Sequence, residues 1–331
     1  MIFLTFKETG NESAGRNDLP EFTCGFTNLD FQKLWTGRDK VTAVERAILS
    51  ALLRKTGNRR GLEVGTGNGR LSDIIYSTSV EYVGTDINPA FLRNLRKLSD
   101  FRKARLLSSN LYSLPFRDNS FDTVIMIRVF NFLSNPVKAL REMARVLIPG
   151  WSLIFSYSPR PSIATLTDDI KFVIRFQEKK AALKNSWKPI TFSRRDIARL
   201  EPAEIPTFSF SGNYVNALLA ETNLSEVTCL SSGLEDYRLT ELLPLEFFLN
   251  LALSFRRVPL MPTRFILASK AQGKGNLIRN FDDIFCCPRC NNPLELWDDT
   301  VNIQCNTCRF HTEGREGFSD LRYFPDTDVI T

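Results

Sequence analysis

Histidine is almost missing from this chain: His311 is the only one in 331 residues. A Ser-His-Asp hydrolase in the body of the chain is thereby excluded, as is any site built on two imidazoles. Long apolar runs are missing too. The most apolar stretch, 242–255, falls short of the ~20 residues a bilayer needs. The first residues, Met1 to Glu8, lack a basic region followed by a sustained apolar run, so a cytoplasmic protein is expected. There is no internal repeat and no low-complexity tract. A composition of 43% hydrophobic and 24% charged residues excludes a disordered tail or a collagen-like chain. Cysteine is scarce outside one cluster. Cys24 and Cys229 stand alone, whereas Cys286, Cys287, Cys290, Cys305 and Cys308 crowd together. A disulfide framework would be spread more evenly, so the crowding reads as metal binding.

Charge divides the chain. Residues 1–150 carry a net +7, residues 151–275 a net +4 and residues 276–331 a net −5. A basic body thus precedes a small acidic module, joined by a polar, glycine-containing linker at 271–276. The expected organisation is an N-terminal extension at 1–40, a main domain at 41–271 with an insert at about 160–210, and a small domain at 277–331.

Within the main domain, helical and strand patterns alternate. Val41 to Lys55 has helical spacing, and 61–65 reads as a short buried strand. Helices are expected at about 70–77, 88–98 and 137–146, and strands at 81–86, 104–108, 121–127 and 152–157. After Pro159 the reading is a helix over 163–183 and a polar, proline-punctuated stretch over 184–210. A helix at 213–222, a strand at 226–230, an apolar helix at 241–255 and a last strand at 264–269 follow. This alternation predicts an α/β fold, a parallel sheet with helices on both faces.

Glu63-Val64-Gly65-Thr66-Gly67-Asn68-Gly69 lies between the first strand and its helix. Glycine lets backbone approach a ligand closely or take positive φ, and the helix N-terminus offers its N–H groups there. The spacing is Gly-x-Gly-x-Gly after an acid, not the Gly-x-Gly-x-x-Gly of a dinucleotide site. Glu63 at the strand end would repel a pyrophosphate and suit an ammonium group. Asp86 ends the second strand, where a carboxylate can accept both hydroxyls of a ribose. Its other reading is the cap of the helix that begins at Asn88-Pro89. An ammonium and a ribose without phosphate describe S-adenosylmethionine.

The chain resembles the class I S-adenosylmethionine-dependent methyltransferases, type 11-like, on these residues and on two further phrases. They are Leu114-Pro115-Phe116-Arg117-Asp118-Asn119-Ser120-Phe121-Asp122 and Leu140-Arg141-Glu142-Met143-Ala144-Arg145-Val146-Leu147-Ile148-Pro149-Gly150. The resemblance implies a Rossmann-like, doubly wound, seven-stranded sheet. It implies that Gly65, Thr66, Gly67 and Gly69 line the methionine and ribose end, and that Glu63 holds the amino group directly or through water. It further implies that Asp86 takes the ribose hydroxyls, Ile87 packs on adenine, and Asn110 and Leu111 contact adenine. Arg128 ends the fourth strand, where the family contacts the methionine moiety through backbone. Position 110 departs from the usual Asp, and Trp151 stands where a second glycine is usual. No catalytic residue can be named. Asn131, Tyr157, Arg160 and Tyr214 are candidates for the acceptor side by position only.

In the acidic module, Cys287-x-x-Cys290 and Cys305-x-x-Cys308 form two knuckles separated by 14 residues. Such turns set four thiolates tetrahedrally around Zn²⁺, and so small a module needs a structural metal. Leu294–Trp297 and Val301–Gln304 read as hairpin strands around Asp298-Asp299. Cys286 spoils the spacing and is excluded, and His311 reads as a surface or turn residue. The ribbon resembles the small zinc-binding activator subunit of tRNA, rRNA and release-factor methyltransferases, without that family's proline near 319. That resemblance implies a ribbon docked on its own methyltransferase domain, lending it a strand and apolar cover.

The expected function is methyl transfer by in-line displacement, which needs no elaborate acid–base set. The ribbon and basic pairs such as Arg194-Arg195 and Arg256-Arg257 favour RNA or protein of the translation machinery as acceptor. The alternative is a small metabolite such as a sugar, lipid or quinone precursor, and a second alternative is a non-catalytic S-adenosylmethionine-binding scaffold.

Overall fold

The computed structural model describes residues 35–102, 104–133, 135–163, 197–200, 207–236, 242–256, 258, 260–273, 275, 278–294, 303–312, 314–315 and 318–323. The expected helix over 163–183, Lys179-Lys180, Arg194-Arg195, Arg257, the strand beyond Leu294, Asp298-Asp299 and the extension before Trp35 lie outside them.

Helix α1 (Asp39–Leu53) buries Val41, Val44, Ile48, Leu49 and Leu52, the apolar side of its helical repeat. Strand β1 (Arg60–Val64) is buried along its whole length, as a central parallel strand should be. Helix α2 (Ser72–Thr78) returns the chain to β2 (Glu81–Asp86). Helix α3 (Pro89–Lys97) begins at a cap: Asn88 accepts from the Ala90 N–H, and Pro89 at the first helical position needs no donor partner. Strands β3 (Arg105–Ser108) and β4 (Phe121–Met126) follow. Helix α4 (Pro136–Val146) repeats the same cap with Asn135 and Pro136, and it runs directly into β5 (Leu147–Tyr157).

Beyond β5 lies a small sheet not foreseen as strand: β6 (Pro159–Arg160), β7 (Ile197–Leu200) and β8 (Thr207–Ser211), in the order β6-β8-β7. Helix α5 (Gly212–Glu221), β9 (Leu224–Ser232), helix α6 (Leu245–Ser254) and β10 (Thr263–Lys270) complete the main domain. No helix among the described residues is long and apolar enough to cross a membrane.

Strands β3, β2, β1, β4 and β5 are parallel, and β10 runs antiparallel to both β5 and β9. The strand order reverses at β1. In open α/β sheets that switch point opens a ligand crevice at the carboxyl ends of the strands. The loops after β1, β2, β3 and β4 all end there.

The cysteine-containing module contributes the pair β11 (Ile303–Gln304) and β12 (His311–Thr312) and then β13 (Gly314–Arg315) and β14 (Phe318–Asp320). The main sheet has nine strands, in the order β13-β14-β3-β2-β1-β4-β5-β10-β9. The expected seven run from β3 to β9. The other two, β13 and β14, come from the cysteine-containing module. Strand β14 pairs in parallel with β3, Ser319 opposite Leu107, and the Leu321 N–H continues the ladder to the Ser108 carbonyl at 2.7 Å. Side chains join the two parts as well. Ile284, Phe285, Leu294, Ile303 and Leu321 are buried in the same cluster as Phe116, Phe121 and Phe155. Phe285 lies 5.7 Å from the Phe116 ring, and the Cys286 N–H reaches the Pro115 carbonyl. The acidic module and the basic body meet chiefly through strand pairing and apolar burial. The ion pair Arg105–Asp282 is largely exposed, and such pairs contribute little.

Candidate active site and four-cysteine centre

The loop after β1 is shaped by its glycines. Gly65, Gly67 and Gly69 have φ of 79°, 52° and 80°. A Cβ on Gly65 would meet Val129 at 2.3 Å, and one on Gly69 would meet Leu95 at 2.4 Å, so both are required by packing as well as by φ. Gly67 faces open space. The loop is fastened to the end of β2, with the N–H groups of Gly65 and Thr66 both donating to the Thr85 carbonyl. Gly67 N–H donates to Asp86 Oδ2 at 2.8 Å, and Asn88 N–H donates to Oδ1 at 2.8 Å. The helix cap is therefore Asn88, and Asp86 ties the glycine loop to the start of α3. Burial raises the Asp86 carboxyl to about 6 despite these bonds.

Glu63 is also buried, and its two oxygens accept from Ser72 Oγ at 2.9 Å and from Tyr82 OH at 2.6 Å. Burial lifts this carboxyl to about 7, against the two hydrogen bonds that favour its ionised form. The side chain thus braces β1 against β2 and α2, a partner set the sequence reading did not include.

On the far side of the crevice, Ile87 and Leu111 are half-buried. Asn110 is buried, but its carbonyl accepts from its own Tyr112 N–H, and its amide donates to the Tyr323 carbonyl of the cysteine module. The expected use of that carbonyl for an adenine amine therefore competes with a local turn. Beside it, Ser109 Oγ is buried without a hydrogen-bond partner, as is Asn68 Oδ1 in the glycine loop. Buried orphaned polar atoms cost free energy unless a ligand or water satisfies them. Together with the open face of Gly67 and the Asp86 carboxylate, they fit a polar, hydroxyl-bearing ligand.

Arg128 lies two residues past the end of β4, in the left-handed region, with φ 62°. Its N–H donates to Ser156 Oγ, and its guanidinium pairs with Glu45. Arg70, which leaves the glycine loop, pairs with the same fully buried carboxylate and stacks 3.6 Å from the Trp35 ring centre. Glu45 therefore links α1 to the ends of β1 and β4. Sequence reasoning missed it, although an acid at 45 beside Val44 and Ile48 on the apolar face was a readable signal.

Of the acceptor-side candidates, Asn131 is tied to Ser158 through both its oxygen and its amide, and Tyr214 stacks on Phe210. Tyr157 accepts a hydrogen bond from Arg264 at 3.3 Å. Arg160 lies in β6, next to that group in the chain.

Comparison with known proteins now identifies part of the chain. Residues 62–155 match the family described as "Methyltransferase domain". The chain contains a methyltransferase domain. Among curated proteins it is similar to the demethylmenaquinone methyltransferase of Thermus thermophilus, 34% identical over 31% of this chain and 49% of that one. It is likewise similar to an uncharacterised protein of Methanocaldococcus jannaschii, 29% identical over 38% of this chain and 57% of that one. The chain thus spans about half the length of the curated relatives it matches. Among solved structures, a possible histamine N-methyltransferase from Thermotoga maritima is 20% identical, with a TM-score of 0.45, covering 72% of this chain and 97% of that one. A complex of the Haloferax volcanii Trm112 methyltransferase activator with a putative methyltransferase is 15% identical, with a TM-score of 0.46, covering 73% and 98%.

The second centre lies outside the methyltransferase domain. The sulfurs of Cys287, Cys290, Cys305 and Cys308 all lie within 4.8 Å of one another. The two knuckles repeat one geometry: the residue after each second cysteine, Asn291 and Arg309, has φ 59°, and its N–H returns to the carbonyl of the first cysteine. Arg289 N–H and Asn292 Nδ2 donate to the sulfurs of Cys287 and Cys290, bonds that favour thiolates. Four converging sulfurs suit a tetrahedral soft-metal site. Cys286 is buried outside this cluster, its N–H on the Pro115 carbonyl and its backbone bridged to Pro293, and His311 is exposed in β12 (His311–Thr312).

Proposed function

We propose that the chain transfers a methyl group from S-adenosylmethionine to a small-molecule acceptor, with Zn²⁺ on Cys287, Cys290, Cys305 and Cys308 holding the ribbon. The observation that carries the reading is the positive-φ loop at Gly65–Gly69, open at Gly67 and hydrogen-bonded to the buried Asp86 carboxylate. In this reading Asp86 accepts the ribose hydroxyls, Gly65, Thr66 and Gly67 offer backbone to the methionine and ribose end, and Ile87 and Leu111 pack the adenine. Asn110 borders the adenine, and Arg128 the methionine end. Glu63 acts through the brace it forms with Ser72 and Tyr82. When bound, S-adenosylmethionine supplies a methyl on a sulfonium, open to in-line displacement. The protein's part is to orient the two partners and exclude water.

Of the basic pairs that pointed toward nucleic acid, Arg194-Arg195 and Arg257 lie outside the described residues and Arg256 is exposed, but other cations of the basic body have internal uses. Arg60 pairs with Glu81 and donates to the Ile278 carbonyl, Arg145 pairs with Glu142 and Asp118, and Arg70 and Arg128 pair with Glu45. Those four cations are not free for a polyanion, which supports the small acceptor. The translation RNA or protein reading retains one support, the resemblance of the ribbon to the activator of such enzymes, together with its strand beside β3.

Isothermal titration with S-adenosylmethionine tests the cofactor. Binding by wild type and a loss of at least tenfold in Asp86→Ala are expected, and no binding by wild type refutes the proposal. Salt-dependent binding to bulk RNA would move the acceptor to the second reading.

A further inference from the structure

Three side chains stand abreast at the carboxyl edge of the sheet, away from the glycine loop. Register places Tyr157 of β5, Arg264 of β10 and Ser231 of β9 opposite one another, so they share one face. Tyr157 and Ser231 are buried, and Arg264 is half-buried. Arg264 donates to the Tyr157 hydroxyl, but its Nε is buried without a partner, and so is Ser231 Oγ. Among the described residues no carboxylate pairs with this guanidinium, whereas Arg60, Arg70, Arg128 and Arg145 all have one. Helix α5 makes the imbalance larger. Its first residue is Gly212, where a Cβ would lie 3.0 Å from the Arg264 guanidinium. A helix N-terminus carries about half a positive charge. A full cation and a positive helix end thus face each other across a glycine, with two buried polar atoms unsatisfied beside them.

We infer that Arg264, with Ser231, Tyr157 and the N-terminus of α5, binds an oxyanion of the acceptor, a carboxylate or phosphate on a small molecule. This rests on the proposed methyl-transfer function for its meaning but not for its chemistry. An anion here would satisfy the guanidinium Nε and the Ser231 hydroxyl together and neutralise the positive end of α5. Guanidinium is suited to such planar recognition. Adjacent strands lie about 4.8 Å apart, and Arg264 is two strands from the end of β4, so the oxyanion sits roughly 10 Å from that edge. That is the span of a small acceptor with its charge at the end opposite the methylated atom.

The test uses the full chain and two probes, inorganic phosphate and benzoate, titrated at constant ionic strength and read as saturable thermal stabilisation. Wild type is expected to saturate in the millimolar range with at least one probe. Arg264→Gln should weaken that probe at least tenfold, Ser231→Ala about threefold, and Arg264→Lys should fall between wild type and Arg264→Gln. Each variant is also titrated with S-adenosylmethionine, whose affinity should stay within twofold of wild type, which also shows that the variant is folded. Equal probe responses in wild type and Arg264→Gln, or no saturable response in wild type, overturn the inference. Absence of S-adenosylmethionine binding with intact, Arg264-dependent anion binding would instead refute the proposed function and leave the oxyanion site standing.

Discussion

Phe285 belongs to the cysteine module by sequence and to the methyltransferase core by packing, so its removal measures whether the two are one unit. The ring is fully buried, 5.7 Å from Phe116 and 6.0 Å from Phe281, in the cluster that contains Phe121 and Phe155. Truncating a buried phenylalanine to alanine costs ~3–5 kcal/mol through lost transfer energy and the cavity left behind. The aromatic pairing with Phe116 contributes ~0.5–1.5 kcal/mol of that. Against a net stability of about 5–15 kcal/mol, Phe285→Ala should remove a large share. The assay is urea unfolding of the full chain followed by two signals. Far-UV circular dichroism reports the helices, α1 to α6, which precede the module. Thiol reactivity reports Cys287, Cys290, Cys305 and Cys308. In wild type the two curves should coincide, and in the variant both should move together to lower urea. If the thiols become reactive early while the helical midpoint stays fixed, the module is an independent domain and the shared-core reasoning is wrong.

Three further outcomes are expected. Glu45→Gln leaves Arg70 and Arg128 without their buried counter-charge and should cost stability near the low end of ~3–5 kcal/mol, because both guanidinium groups keep some solvent; a change under about 0.5 kcal/mol in urea midpoint analysis would dismiss the network. Asp86 is raised to about 6 from an unfolded value of about 3.9, so its stability contribution is full below about pH 4 and is lost as pH rises through 6. Binding that uses its ionised form runs the other way: titration calorimetry should give S-adenosylmethionine affinity that is flat above about pH 7 and weaker below 6, with the break at 6 gone in Asp86→Asn. Stripping metal with a strong chelator should lower the thermal midpoint of the whole chain, and zinc should restore it, because the knuckles anchor Phe285 and Leu294 in the common core; an unchanged midpoint after verified metal loss contradicts this.

Much of the methyltransferase fold was legible because its signals are local. Asn88-Pro89 and Asn135-Pro136 mark helix starts, the run 121–126 is apolar throughout, and the glycines at 65, 67 and 69 carry their conformational meaning with them. Strand β8 was legible too and was passed over, since Thr207-Phe208-Ser209-Phe210-Ser211 alternates with period two. Strand β14 was legible only through the resemblance of the ribbon, which implied a lent strand: its three residues carry no period, and their place beside β3 depends on a partner some 210 positions earlier.

The sequence by itself determined the order of elements, the glycine loop with its acidic partner, and the two cysteine knuckles, because each depends on neighbours in the chain. The tertiary structure alone decided three things. It occupied Glu63 and Asn110 with partners from other elements, it set Arg60, Arg70, Arg128 and Arg145 in internal pairs, and it left Arg264 facing a helix end with no paired carboxylate among the described residues. Charge and hydrogen-bond demand are properties of a residue, but whether they are met depends on what the fold brings within about 3 Å.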